Sequence, residues 1–206
     1  MKSLTILALS MSAMPVLATS YTLEPNYTQV LLSWDHLGFS HPTAQIAQGA
    51  GRLEFDPMSP EMAALDVTLP IASLMTGVPD LDEHLKSADF FDIGRFPQAH
   101  FQSTRVAKGR SADQLIVTGD LTMHGVTRPV NLDVRVLKLG NNPRTNVATA
   151  GFSASTHLKR TDFGLGRFVP QVGDEITLQI VCQGAESKGY AALLKAQEEE
   201  EKAKKR

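Results

Sequence analysis

The sequence predicts an all-β protein: a single antiparallel barrel or sandwich of about eight short strands, with one short helix inserted. Three observations predict it. Apolar residues recur at every second position in run after run, the period of a half-buried strand. Clusters of Gly, Pro, Asp and Asn punctuate the runs as turns do. No internal repeat or interdomain linker divides the 206 residues.

The chain opens on a targeting segment. Lys2 supplies the positive end, Leu4 to Met14 the short apolar stretch, and Val16-Leu17-Ala18 the small residues of a cleavage site. The stretch is too short to span a bilayer, so export with removal after Ala18 is expected. A bacterial periplasm is the simplest destination. The predicted organisation is a signal peptide over 1–18, a barrel over 19–188 and a charged tail over 189–206.

Tyr21 to Pro25 is a short extended lead-in closed by proline. Gln29 to His36 alternates, with Val30, Leu32, Trp34 and His36 on one face. Ala44 to Phe55 is a second strand whose Gly49 and Gly51 predict a bend, a bulge or a close approach. Met62 to Ile71 presents Leu65, Val67, Leu69 and Ile71 together. Pro79 to Asp89 is acidic, and its Leu81, Leu85 and Ala88 suit a short amphipathic helix. Phe90-Phe91-Asp92 and Arg95-Phe96-Pro97 form an aromatic connection. Ala99 to Ala107, Leu115 to His124, Val126 to Leu139, Val147 to Leu158 and Glu175 to Ala185 complete the strands. Glu198 to Arg206 has strong helix formers and no core face, which predicts a solvated helix or disorder.

Composition excludes some functions. A net charge of −2 gives no broad basic surface for nucleic acid. The one cysteine, Cys182, allows no intramolecular disulfide, and no neighbouring cation activates its thiol. His36, His41, His84, His100, His124 and His157 lack the paired spacing of a helical zinc motif, so no metal is expected. Ser153, Ser155 and His157 share one strand face, which does not orient a base behind a nucleophile. No GxSxG elbow or phosphate-cradling glycine loop is present. No catalytic residue and no catalytic cofactor are therefore assigned.

Binding fits better. Trp34, Phe39, Phe90, Phe91, Phe101, Phe152 and Phe163 accompany a sparse polar set of His36, Ser40, Asp89, Arg160 and Asp162, and binding sites are mostly apolar with a few placed polar groups. Arg160, between a strand and the turn residues Asp162 and Gly164, can grip a phosphate or carbonyl through its guanidinium fork. Asp162 can instead neutralise it. An eight-stranded barrel holds one elongated ligand or is filled by its own side chains.

Several stretches together resemble the YceI-like family. They are Tyr21-Thr-Leu-Glu-Pro25, His36-Leu-Gly-Phe-Ser40, Gly51-Arg-Leu-Glu-Phe-Asp56, Ser87-Ala-Asp-Phe-Phe-Asp92 with Phe96-Pro97, Gly119 to Pro129, Gly151-Phe-Ser-Ala-Ser155, Arg160-Thr-Asp-Phe-Gly-Leu165 and Val172-Gly-Asp-Glu175. Each is weak alone; their order and spacing are specific, and they span the mature chain except its tail. The resemblance implies an extended, lipocalin-like, eight-stranded antiparallel barrel. It implies a periplasmic binding or carrier protein for polyisoprenoid lipids, among them isoprenoid quinones and prenyl phosphates, or another long-chain amphiphile, with no catalytic centre and no metal. On that basis the ligand tunnel is expected among Val30, Leu32, Trp34, Leu65, Val67, Phe101, Val117, Leu121, Val134, Phe152 and Ile180. The head-group rim is expected at His36, Ser40, Asp89, Phe90, Arg160, Asp162 and Phe163. Expected partners are the amphiphile itself and, transiently, a membrane; homodimerisation stays open. The alternatives are an enzyme using Asp89, His36 or His157 at the mouth, and a filled barrel serving as an envelope interaction module.

Overall fold

The computed structural model describes residues 18–205. The expected signal segment lies outside the described residues but for Ala18. Ten strands are described: β1 (Thr19–Leu23), β2 (Gln29–His36), β3 (Thr43–Ile46), β4 (Ala50–Phe55), β5 (Ala64–Pro70), β6 (Gln98–Lys108), β7 (Gln114–Met123), β8 (Val126–Asn141), β9 (Ala148–Lys159) and β10 (Val172–Glu186). Helix α1 (Pro79–Lys86) lies between β5 and β6, and α2 (Ser187–Lys204) ends the chain.

The ten strands make eight staves of one closed antiparallel barrel. β1 and β2 are successive halves of a single stave: both pair with β10, β1 through Leu23↔Gly184 and β2 through Val30↔Ile180. β3 and β4 are likewise halves of the next stave, pairing with β2 and β1 respectively. The ring then runs β4–β5–β6–β7–β8–β9–β10.

Local chemistry explains the two interruptions. Pro25 opens a 3-10 turn over Pro25–Tyr27, where its missing N–H costs nothing. In the second stave Gln48 adopts φ +63°, and the Ala47 N–H turns to the Ser73 hydroxyl at 3.0 Å. The glycines beside this break answer to close approach: a Cβ on Gly49 would stand 2.6 Å from Thr28 Cγ2, and one on Gly51 would stand 2.0 Å from the Asp66 carbonyl oxygen. Ala44 to Phe55 is thus one stave made of two strands, and the lead-in around Tyr21 is a full member of the wall.

Alternation points one face of each strand inward. Neighbouring staves bring Val67, Phe101 and Leu121 onto one rung, and Val134, Ala154, Ile180 and Val30 onto another. The deepest side chains include Leu23, Phe55, Ile71, Leu74 and Phe163. Outside the wall, α2 begins where the Glu186 carboxylate accepts from the N–H groups of Lys188 and Gly189, at 3.1 and 2.7 Å. It continues as an exposed helix with i,i+4 ion pairs such as Lys204–Glu200 at 2.6 Å. Among the described residues no helix is long and apolar enough to cross a membrane.

Candidate functional site

The barrel interior holds a cavity of about 350 Å³. Its walls come from the inward faces of β2, β3 and β5 to β10, and its open end is covered by α1 and the loop before β10. The lining is apolar apart from Thr28, His36, His84, Thr156, Arg160 and the Cys182 thiol. Inward residues of β2 descend from His36 at the mouth through Trp34, Leu32 and Val30 to Thr28 just beyond the strand end. Eight residue steps at ~3.3 Å span roughly 26 Å along the strand, or roughly 20 Å along the axis at a tilt of about 40°.

Eight of the eleven expected tunnel residues meet around this cavity. Val30, Leu32 and Trp34 come from β2, Leu65 and Val67 from β5, and Phe101, Leu121 and Ile180 from β6, β7 and β10. Val117, Val134 and Phe152 do not. They line a second, smaller cavity of about 80 Å³ toward the far end, where Phe152 meets Phe55 edge to face at 5.4 Å. Leu65, Leu132, Ile180 and Cys182 border both spaces. Burial pushes the Cys182 thiol up to about 11, opposed by the neighbouring Thr28 hydroxyl, so it sits in the wall as a neutral group.

The expected rim divides. His36 and Phe90 line the mouth. Ser40 is exposed and meets His36 only through the backbone, its carbonyl accepting from the His36 N–H at 2.9 Å. Asp89 forms an exposed ion pair with Arg167 at 2.5 Å, which ties the segment after α1 to the loop before β10.

Three rim residues serve other ends. Arg160 is only 7 % exposed. Its Nε donates to the Gly173 carbonyl at 2.9 Å, one terminal nitrogen donates to the carbonyls of Leu165 and Arg167, and the other donates to that of Val172 at 2.9 Å. The fork expected to grip a head group is spent on its own loop. Desolvation lowers its pKa from the ordinary value, and Asp174 opposes the shift. Asp174 also accepts from the Thr161 N–H and hydroxyl, at 3.0 and 2.8 Å. It is therefore Asp174, rather than the exposed Asp162, that offsets Arg160. Phe163 is 1 % exposed, a core residue whose carbonyl accepts from His124 Nδ1 at 3.0 Å.

Sequence reasoning missed the cover of the mouth. Leu81, His84 and Leu85 of α1 line the opening, with Phe168 from the facing loop. His84 packs edge to face on Phe90 at 4.8 Å, and Phe168 lies 6.1 Å from Phe90. Phe168 is 50 % exposed at φ +65°. Leu37 and Phe39, the latter 91 % exposed, project from the neighbouring β2–β3 turn, where the Leu37 N–H donates to the Gln171 carbonyl. The signal available in the sequence was an aromatic in a Gly- and Pro-bounded loop, Gly166-Arg-Phe-Val-Pro170.

The candidate catalytic groups make no hydrogen bond or ion pair with one another among the described residues. His157 faces outward on β9 beside Thr177 and Glu175, while Asp89 is paired with Arg167. Among the described residues no three of His, Cys, Asp and Glu are grouped as a metal would need.

The YceI-like domain model matches residues 21–183. The chain is 33% identical over 187 residues to Protein YceI of Escherichia coli O157:H7, an alignment covering 90% of this chain and 96% of that one. The fold resembles Burkholderia cenocepacia BcnA, with a TM-score of 0.68 at 22% identity over 76% of this chain and 95% of that chain. It also resembles a polyisoprenoid binding domain from Saccharophagus degradans implicated in plant cell wall breakdown, with a TM-score of 0.61 at 14% identity over 82% of this chain and 99% of that chain.

Proposed function

The chain belongs to the YceI-like family, and from that premise we propose that it is a periplasmic carrier which encloses a polyisoprenoid lipid, or an amphiphile of similar length, inside its barrel. The observation that carries this is the 350 Å³ apolar cavity with its covered mouth. Such a space is complementary to an apolar chain. Each buried methylene contributes ~0.8 kcal/mol, so a five-carbon unit contributes roughly 4 kcal/mol before ordering costs. The polyisoprenoid-binding structural relative supports the ligand class. The sequence features of a signal segment support the location. Exposed Leu37, Phe39 and Phe168 beside the mouth support transient contact with the membrane from which such a ligand comes.

Lipid extraction and mass spectrometry of protein purified from its native host test this proposal. A stoichiometric long-chain amphiphile is expected. Its absence, together with no binding of a prenol or isoprenoid quinone by titration, would overturn it.

The ion pair across the mouth has a kinetic role in this scheme. Asp89→Asn is expected to change stability by less than about 1 kcal/mol, because the pair is exposed. Release of bound lipid to acceptor vesicles, followed by stopped-flow fluorescence, is expected to accelerate about two- to fivefold.

A further inference from the structure

A collar of side chains separates the two interior spaces. Leu65 of β5, Leu132 of β8, and Ile180 with Cys182 of β10 border both. Other staves stand between each pair of these strands around the ring, so the side chains close on the axis from different sides. Leu132 is the most buried of the four, and Leu65, Ile180 and Cys182 pack against the same core. The Leu65 N–H donates to the Ser103 hydroxyl at 2.8 Å, which fixes the β5 side of the collar. On the mouth side lie about 350 Å³, on the far side about 80 Å³. Phe55 and Phe152, packed edge to face, line the smaller space at its far end. Its lining is apolar but for Ser153 and the Cys182 thiol.

We propose that this collar is a chain-length stop, with Leu132 as its principal member, and that it sets how many five-carbon units of an isoprenoid the barrel takes. The stop rests on the lipid carrier proposed above and adds which chains fit it. A cavity of about 150 Å³ encloses one benzene ring, or roughly 25 Å³ per carbon. On that scale the mouth-side space takes about 14 carbons, close to three units, and the far space takes about three more. The polar groups His36 and His84 stand at the mouth and the far space is apolar, so the tail leads and the head stays at the mouth. A fourth unit then meets the collar. Packed interiors yield little to added carbons, so the wild type leaves that unit outside, where its burial contributes nothing.

The test titrates the full chain with all-trans prenols of 10, 15, 20 and 25 carbons. Trp34, the one tryptophan of the chain, lines the large space, and its fluorescence reads occupancy. Wild-type affinity is expected to rise at least tenfold from 10 to 15 carbons, as one more unit is buried. From 15 to 25 carbons it is expected to change less than about threefold. Leu132→Ala removes three carbons from the collar and joins the two spaces. Its ratio of 20-carbon to 15-carbon affinity is expected to stand at least tenfold above that of the wild type. Adding Ala154→Leu, at a residue that lines only the smaller space, is expected to return the ratio to the wild-type value. The ratio is read because truncating a buried leucine also costs stability. Should Leu132→Ala fail to fold, Ile180→Ala opens the collar from its partly buried side and is expected to move the ratio the same way. Wild-type affinity that keeps rising through 25 carbons would overturn the stop, as would a ratio unmoved by the collar variant. Either result removes the stop alone, whereas a wild type that binds none of the four prenols removes the carrier proposal itself.

Discussion

Arg160→Ala is expected to lower the stability of the barrel by about 3 kcal/mol, with a melting temperature about 10 °C lower. The guanidinium is buried and gathers the carbonyls of Leu165, Arg167, Val172 and Gly173 about one side chain. Charge-assisted hydrogen bonds are worth more than neutral ones. Truncation leaves these acceptors facing a space that only water can enter. Arg160→Lys is expected to restore less than half of the loss, since an ammonium is one point charge and cannot reproduce a planar fork. Urea denaturation measures both variants. A loss below about 1 kcal/mol would mean that the loop carbonyls find solvent when Arg160 is gone. The same anchor holds Phe168 over the mouth, so lipid retention should weaken in step with stability.

The second large effect concerns the cavity itself. Leu32 and Leu178 are cross-strand neighbours on β2 and β10, and both line the large space. Converting both to Trp places two indoles in the path of any chain descending from the mouth. Binding of a 20-carbon prenol is expected to fall at least a hundredfold, roughly 2.7 kcal/mol. The unfolding midpoint should stay level or rise, because the new rings occupy a hollow rather than a packed core. Isothermal titration and thermal melting separate the two effects. Undiminished binding would place the ligand outside the barrel.

Much of the wall was legible as alternation. Val30-Leu32-Trp34, Leu115-Val117 and Val130-Leu132-Val134 each carry the strand period, and each strand lies where that period puts it. What stayed hidden depends on registry or on loops. β1 is too short and too close to Pro25 to announce itself, yet it shuts the ring. Val117, Val134 and Phe152 face inward as their period requires. Their height along the axis, which assigns them to the smaller cavity, is set by strand pairing that a single sequence does not encode locally. Arg160 looked available because its competitors are backbone carbonyls, which every residue has and no motif marks. His84 and Phe168 cap the mouth from a helix and a loop whose relative placement no periodicity reports. Thr28 lies at a turn, where polar residues are ordinary, and only the fold turns it inward.

The stave formed by β1 and β2 meets β10, so the seam joins the first and last of the described strands. Such pairings are slow, because a long loop of polypeptide must be closed before they are rewarded. The chamber therefore does not exist on a nascent chain, whatever strands have already zipped. Any guest of the chamber can therefore enter only after the two ends of the described chain have met.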